Sequence, residues 1–301
     1  MARNNTRTLA ALALCTVAGA GLVGCEGEVP GLDPSPAADA SARETGEDLF
    51  TGTRKITVKD RSVNVSCSGK PAEGRPTVVL LHGGGDDLTK MAGLQKTLSA
   101  DGRVCSYDRL GAGASDRPAG PQDYDAVGKT LTGVIEKVAG DGPVVLAGHS
   151  MGGLIAARYA PDHQDKVKGL VLLDATSPTA GADLKNRIPE SATGPAGELR
   201  AQSLAVFEGQ NPEQLVFADG EVRSAGDIPV RVIQHGQQYL GAVPEYGPGL
   251  EEDWTKGQKA WLALSGNSEL STAKNSGHYI HADEPKVAVE AIEGVTEQAA
   301  G

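Results

Sequence analysis

The chain has 301 residues, of which 39% are hydrophobic, 4% aromatic and 40 are glycine. That is enough for one large α/β domain or two small ones, rich in tight turns. Acidic residues outnumber basic ones by 39 to 28, the net charge is −11, and no basic patch stands out; this argues against nucleic acid as a partner and mainly predicts solubility.

Residues 1–24 read as a targeting segment. Arg3 and Arg7 give a positive start, and residues 9–23 form an apolar run too short to span a bilayer comfortably. The run closes on Leu22-Val23-Gly24-Cys25, which resembles a bacterial lipobox. That resemblance implies a lipid on Cys25 and anchoring at the extracytoplasmic face of the cell membrane, or secretion if the lipobox is not used. Residues 25–48, rich in Pro, Ala, Asp, Glu and Gly without periodicity, read as a flexible tether. Residues 49–301 are expected to form the folded domain.

Within it, residues 54–58 and 62–67 alternate apolar and polar side chains around Lys59-Asp60-Arg61, the pattern of an antiparallel hairpin. Residues 77–81 are continuously apolar and read as a buried strand, followed by His82-Gly83-Gly84-Gly85. A helix is expected over 88–98, a strand over 103–107, and a helix over 124–139 with Val127, Leu131, Val134, Ile135 and Val138 on one stripe. Further strands are expected over 144–147, 167–173, 228–233 and 268–273. Between the sixth and seventh strands, residues 179–227 break the rhythm, with short helical candidates at 197–207 and 212–217. A helix over 254–264 carries both tryptophans on one face, read as core, and a last helix opens at Asp283-Glu284-Pro285. Strands alternating with helices imply a mostly parallel sheet covered on both faces.

The most informative run is Val144-Val145-Leu146-Ala147-Gly148-His149-Ser150-Met151-Gly152-Gly153. A buried strand leads into Gly-x-Ser-x-Gly and then a helix, the context in which a serine sits exposed on a strained turn. A Cβ at Gly148 or Gly152 would strike the neighbouring chain. This run resembles the nucleophile elbow of the α/β-hydrolase superfamily, and the match extends over roughly residues 53–295. The segment Asp108-Arg109-Leu110-Gly111-Ala112-Gly113-Ala114-Ser115 is similar to a loop-shaping segment of that superfamily, which makes Asp108 a bracing carboxylate.

The resemblance implies an eight-stranded, mostly parallel sheet with helices on both faces and a lid at about 176–227. It makes Ser150 the nucleophile and His278, after Gly277 in the loop ahead of the last helix, the base; His281 is the runner-up. It also places the oxyanion-binding N–H groups at Met151 and near Gly84. For the acid, relatives often carry Gly-x-x-Asp after the seventh strand, but this chain has Gln234-His235-Gly236-Gln237-Gln238. Asp174, at the end of the sixth strand, is the choice, with Glu245, Glu251 and Asp253 open. In this superfamily the second and fourth strands are neighbours, which brings Cys67 and Cys105 within disulfide reach, outside the cytoplasm.

A serine hydrolase acting on a small acyl substrate, an ester above all, is therefore expected, with no cofactor and no metal. A cofactor-free perhydrolase, an aminopeptidase and a surface-binding lipoprotein without turnover are the alternatives. Nothing in the sequence indicates an oligomeric state.

Overall fold

The computed structural model describes residues 49–300. The expected leader, Cys25 and the tether lie outside the described residues. The first two strands, β1 (Gly52–Val58) and β2 (Arg61–Ser68), form the expected hairpin. Its two-residue turn, Lys59-Asp60, has φ of 45° and 63°, the backbone that a tight hairpin with right-handed twist requires.

From there the chain alternates. Strand β3 (Thr77–Leu81) leads through a 3-10 turn at Leu88–Met91 into α1 (Ala92–Leu98), and β4 (Val104–Tyr107) is followed by α2 (Tyr124–Ala139). Next come β5 (Val144–His149), α3 (Met151–Tyr159) and β6 (Val167–Leu173). The eight strands make one sheet in the order β1-β2-β4-β3-β5-β6-β7-β8, where β7 is Val230–His235 and β8 is Ser268–Ala273. Only the pairs involving β2 are antiparallel. The sheet thus has the strand number and direction expected.

Side chains of the central strands point alternately to two cores, as the pleat dictates. Val79, Leu81, Val144 and Leu146 pack against Leu131 and Ile135 of α2 and Leu154 of α3. Val78, Leu80, Val145 and Ala147 pack on the other face with Leu94 and Leu98 of α1 and with α8 (Pro285–Ala299), through Ala288, Ile292 and Val295. Helix α2 begins where Asp123 accepts from the Ala126 N–H at 2.8 Å and ends before Gly140, whose φ is +57°. Its stripe of Val127, Leu131, Val134, Ile135 and Val138 is buried, each side chain contributing roughly 1.5–3 kcal/mol.

The segment between β6 and β7 contains α4 (Ala180–Arg187) and α5 (Gly194–Phe207). Their small apolar cluster, Leu184, Ile188 and Ala196, also takes Leu250 from α6 (Gly247–Ala260). The short helix expected at 212–217 does not form. Asn211 closes a turn there, its amide donating to the Leu215 carbonyl at 3.0 Å and its carbonyl accepting from the Leu215 N–H. The chain then runs extended, bridging Gln122 to Leu215 and Glu208 to Val216. Helix α6 starts seven residues earlier than expected because Pro248 sits in its first turn, where a missing N–H costs nothing. A 3-10 turn, Trp261–Leu264, completes it. A final short helix, α7 (Ile280–Asp283), precedes α8. No helix among the described residues is long and apolar enough to cross a membrane.

Cys67 and Cys105 face each other in register across β2 and β4, with Cα atoms 4.1 Å apart, and are joined by a disulfide.

Candidate active site

Ser150 lies between β5 and α3 with φ 51° and ψ −119°, a strained backbone for a residue with a Cβ. The neighbouring glycines make the turn possible. A Cβ on Gly148 would come within 2.4 Å of the Gly152 carbonyl group, and one on Gly152 within 2.3 Å of the Leu81 carbonyl oxygen at the end of β3. The turn is tied to the next strand: the Ser150 N–H donates to the Leu173 carbonyl at 3.1 Å, and the Ser150 carbonyl accepts from Thr176 at 3.1 Å. Ser150 is left half-buried at the carboxyl edge of the sheet.

Asp174 follows β6 directly and is fully buried, also with a left-handed backbone, φ 46°. One of its oxygens accepts from His278 Nδ1 at 2.7 Å. Because Nδ1 is engaged with the carboxylate, Nε2 is the ring nitrogen left for chemistry. His278 is set over the elbow by its own backbone: the His149 Nε2–H donates to the His278 carbonyl at 2.9 Å, and the two rings lie 4.6 Å apart. No hydrogen bond joins Ser150 Oγ to the His278 ring. In free enzymes that contact commonly tightens only when substrate is bound.

The structure separates the acids left open by the sequence. Asp174 meets His278. Glu245 is exposed on a loop. Asp253 forms a two-pronged ion pair with Arg187, at 2.7 and 2.8 Å. Glu251 lies 2.8 Å from His235 Nε2 rather than against His278. His281 is buried against the His149 ring, and its Nδ1 has no partner.

Three side chains at the site were not anticipated from sequence. His235, at the end of β7, donates to Asp174 through both its backbone N–H (3.0 Å) and Nδ1 (2.9 Å). The Trp254 indole, expected in the core, donates to Asp174 at 2.8 Å; Trp261 alone of the two tryptophans is fully buried. The Tyr239 hydroxyl lies 3.3 Å from His278 Nδ1. The one available signal was the run after the seventh strand, Gln234-His235-Gly236-Gln237-Gln238, which has a histidine and no aspartate.

Titration follows these contacts. Burial alone would push the Asp174 carboxyl up, but hydrogen bonds from His235 and His278 outweigh it and hold it down at about 2. Burial lowers His235, yet its bonds to Asp174 and Glu251 leave it raised. Burial keeps His149 well below the ordinary histidine value and brings His281 down to about 4.

At the start of α3, Gly84 lies against the Met151 side chain, where a Cβ would be 3.5 Å from Met151 Cε. Met151 heads α3, so its N–H has no partner within the helix. The glycine loop is braced by Arg109, which donates to the His82 and Gly83 carbonyls at 2.7 and 2.8 Å and pairs with buried Glu213 at 2.7 and 2.9 Å. Asp108 accepts from Leu88, Ala114 and Asn64 at 2.7–2.9 Å, the bracing role expected of it. Among the described residues, no group of three or more His, Cys, Asp or Glu is placed to hold a metal ion.

A family model described as alpha/beta hydrolase fold matches residues 76–208. The pimeloyl-acyl-carrier protein methyl ester esterase of Chromobacterium violaceum is 38% identical over 184 residues, 59% of this chain and 68% of that protein. The (lyso)-N-acylphosphatidylethanolamine lipase of Homo sapiens is 34% identical over 103 residues, 33% of this chain; this chain spans only 30% of that lipase's length. Among solved structures, a thermophilic esterase from Thermogutta terrifontis superposes with a TM-score of 0.60 at 18% identity, over 83% of this chain and 100% of that one. The sheet order, the glycine-flanked serine turn and these matches together mean that the chain belongs to the alpha/beta hydrolase fold family.

Proposed function

We propose that this family member is a serine hydrolase, and specifically a carboxylic ester hydrolase that works through an acyl-enzyme on Ser150. The observation that carries the reading is the 2.7 Å bond between His278 Nδ1 and the buried Asp174 carboxylate, on a loop packed against the serine turn. The hydrolase class comes with the family, and relatives named as an esterase and a lipase favour ester chemistry.

Ser150 Oγ attacks the acyl carbonyl while His278 Nε2 takes its proton. Asp174 keeps the imidazole in the tautomer with a proton on Nδ1 and stabilises the imidazolium that forms. The Met151 N–H, with one from the loop at Gly84, donates to the oxyanion. His278 then protonates the leaving alkoxide, and water attacks the acyl-enzyme by the same route in reverse. The insertion carrying α4 and α5 is the proposed lid over the acyl site.

A panel of p-nitrophenyl esters of increasing acyl length, with aminoacyl naphthylamides and acetate plus peroxide as further arms, tests this. Turnover of at least one ester, lost in Ser150→Ala, is expected. Turnover of amides alone would replace the ester reading with a peptidase, peroxide-dependent turnover alone with a perhydrolase. Wild-type inertness in every arm would leave a binding protein.

The membrane anchor is proposed from Leu22-Val23-Gly24-Cys25 alone. Cys25→Ala is expected to move the protein from the membrane to the soluble fraction; unchanged membrane association would contradict it.

A further inference from the structure

Asp174 is held by more donors than a triad acid needs. Besides His278, it accepts from the His235 backbone at 3.0 Å, from His235 Nδ1 at 2.9 Å to each oxygen, and from Trp254 Nε1 at 2.8 Å. His235 does not stop there. Its Nε2 meets Glu251 at 2.8 Å, and the other Glu251 oxygen accepts from the Gly241 N–H at 3.0 Å. The result is an unbroken chain, Glu251–His235–Asp174–His278, running from α6 across the ends of β7 and β6 to the loop before α7. Asp174, His235 and Glu251 are all buried.

The chemistry of His235 in this chain is constrained. A neutral imidazole has one N–H, and both ring nitrogens here face carboxylate oxygens. Only the imidazolium donates to both. The alternative, a proton on one carboxylate, is opposed at Asp174, which is held far toward its ionised form. The upward shift of His235 agrees with the geometry.

We propose that His235, backed by Glu251, is a positioning residue for the triad: it fixes the Asp174 carboxylate toward His278 and places a positive charge behind it, so that His278 is free to accept the Ser150 proton at lower pH. The inference rests on the triad reading above. Its sign follows from distance. A lone buried carboxylate favours the protonated base, and a cation touching that carboxylate offsets this. Glu251 sits one residue further out and cancels the cation only in part. The other groups facing the His278 ring are His149 from β5, Tyr239 from the loop after β7, Trp254 from α6, and Tyr279 of its own loop. His281 of α7 and Asp86 of the glycine loop lie against His149. Of these groups Trp254 is the one hydrogen-bonded to Asp174, and it carries no charge.

The test uses His235→Asn, whose amide keeps a donor near the Nδ1 position but carries no charge, and the double variant His235→Asn/Glu251→Gln. The double variant removes both charges, so Glu251 is not left as a buried carboxylate without its cation. Two readouts are taken on the full chain: the midpoint of the His278 ring titration by NMR, and the rate of fluorophosphonate labelling against pH. His235→Asn is expected to raise both midpoints by about one pH unit, with the double variant between it and wild type. Coincident midpoints in all three proteins would reduce the pair to packing, even if both variants melt earlier. A downward shift would overturn the charge argument. Failure of wild type to label at any pH would count against the serine hydrolase reading, while the NMR midpoints still decide the role of His235.

Discussion

Ser150 and Asp174 share a left-handed backbone, with φ of 51° and 46°, at the ends of adjacent parallel strands. Such conformations cost of order 1–3 kcal/mol each in non-glycine residues, so the surrounding contacts must over-determine them. At Asp174 those contacts are the four donors from His235, Trp254 and His278. Asp174→Asn keeps the volume and removes the charge; it is expected to lower kcat by roughly three to four orders of magnitude with little change in KM, measured on the best ester of the panel. A loss confined to KM would assign Asp174 to substrate binding instead. Ser150 and His278 were legible in the sequence because each sits in a local pattern, glycine-flanked or glycine-led. Asp174 was one of four candidates, because its partners lie 61, 80 and 104 residues away along the chain. The contacts of His235 and Trp254 with Asp174 were missed for the same reason: a strand-end histidine and a helix tryptophan read as core carry no signal of what faces them across a sheet edge.

Strand and helix positions followed the apolar patterning closely where burial is regular, as at β3, β6 and α2. They departed from it where side chains or prolines decide, as at Asn211 and Pro248. The same distinction governs what holds the elements together. The disulfide pins β2 to β4 across a sequence separation of 38 residues. Cys67→Ser/Cys105→Ser is expected to lose about 3 kcal/mol of stability, read from denaturant unfolding, whereas an unchanged midpoint would mean that sheet packing alone sets the register. Arg109 joins the glycine loop to Glu213 of the segment between β6 and β7, with both side chains almost wholly buried. Replacing Arg109 by Met leaves a buried carboxylate unpaired and is expected to cost about 3–5 kcal/mol; restoration by the added Glu213→Gln change would identify the unpaired charge as the cause. Helix α6 reaches three ways, to His235 through Glu251, to Arg187 of α4 through Asp253, and to Asp174 through Trp254. The insertion and the candidate acid are therefore braced by one helix, a connection invisible to periodicity because that helix begins among Gly and Pro.

For the molecule as a whole, buried titratable groups set the response to acid. His82 and His149 are held well below the ordinary histidine value by burial, and His281 lies at about 4. Each contributes stability that is complete above the unfolded value near 6.5 and is lost as pH falls toward the folded value. His235 acts oppositely: its contribution is complete below 6.5 and fades as pH rises through its raised value. In that window the three lowered groups lose their contributions while that of His235 is already complete, so stability is expected to fall between about pH 6.5 and 4. Asp174 adds a further loss as pH drops from about 4 toward 2, of roughly 2 kcal/mol. Chemical denaturation at a series of pH values checks this; a flat profile from 7 to 4 would contradict it. The strand number, the parallel direction, the pairing of β2 with β4 and the helical cover on both faces were foreseeable from strand patterning and family resemblance. The shape of the insertion was not, because its small cluster draws on Leu250 from beyond the seventh strand. The central claim is that Ser150 is an alcohol activated by His278 and Asp174. Its most direct test is the intact mass and peptide map after treatment with a fluorophosphonate. One adduct is expected, on Ser150, formed rapidly in wild type, slowly in Asp174→Asn and not at all in Ser150→Ala. An adduct elsewhere, or equal labelling rates in wild type and Asp174→Asn, would contradict it.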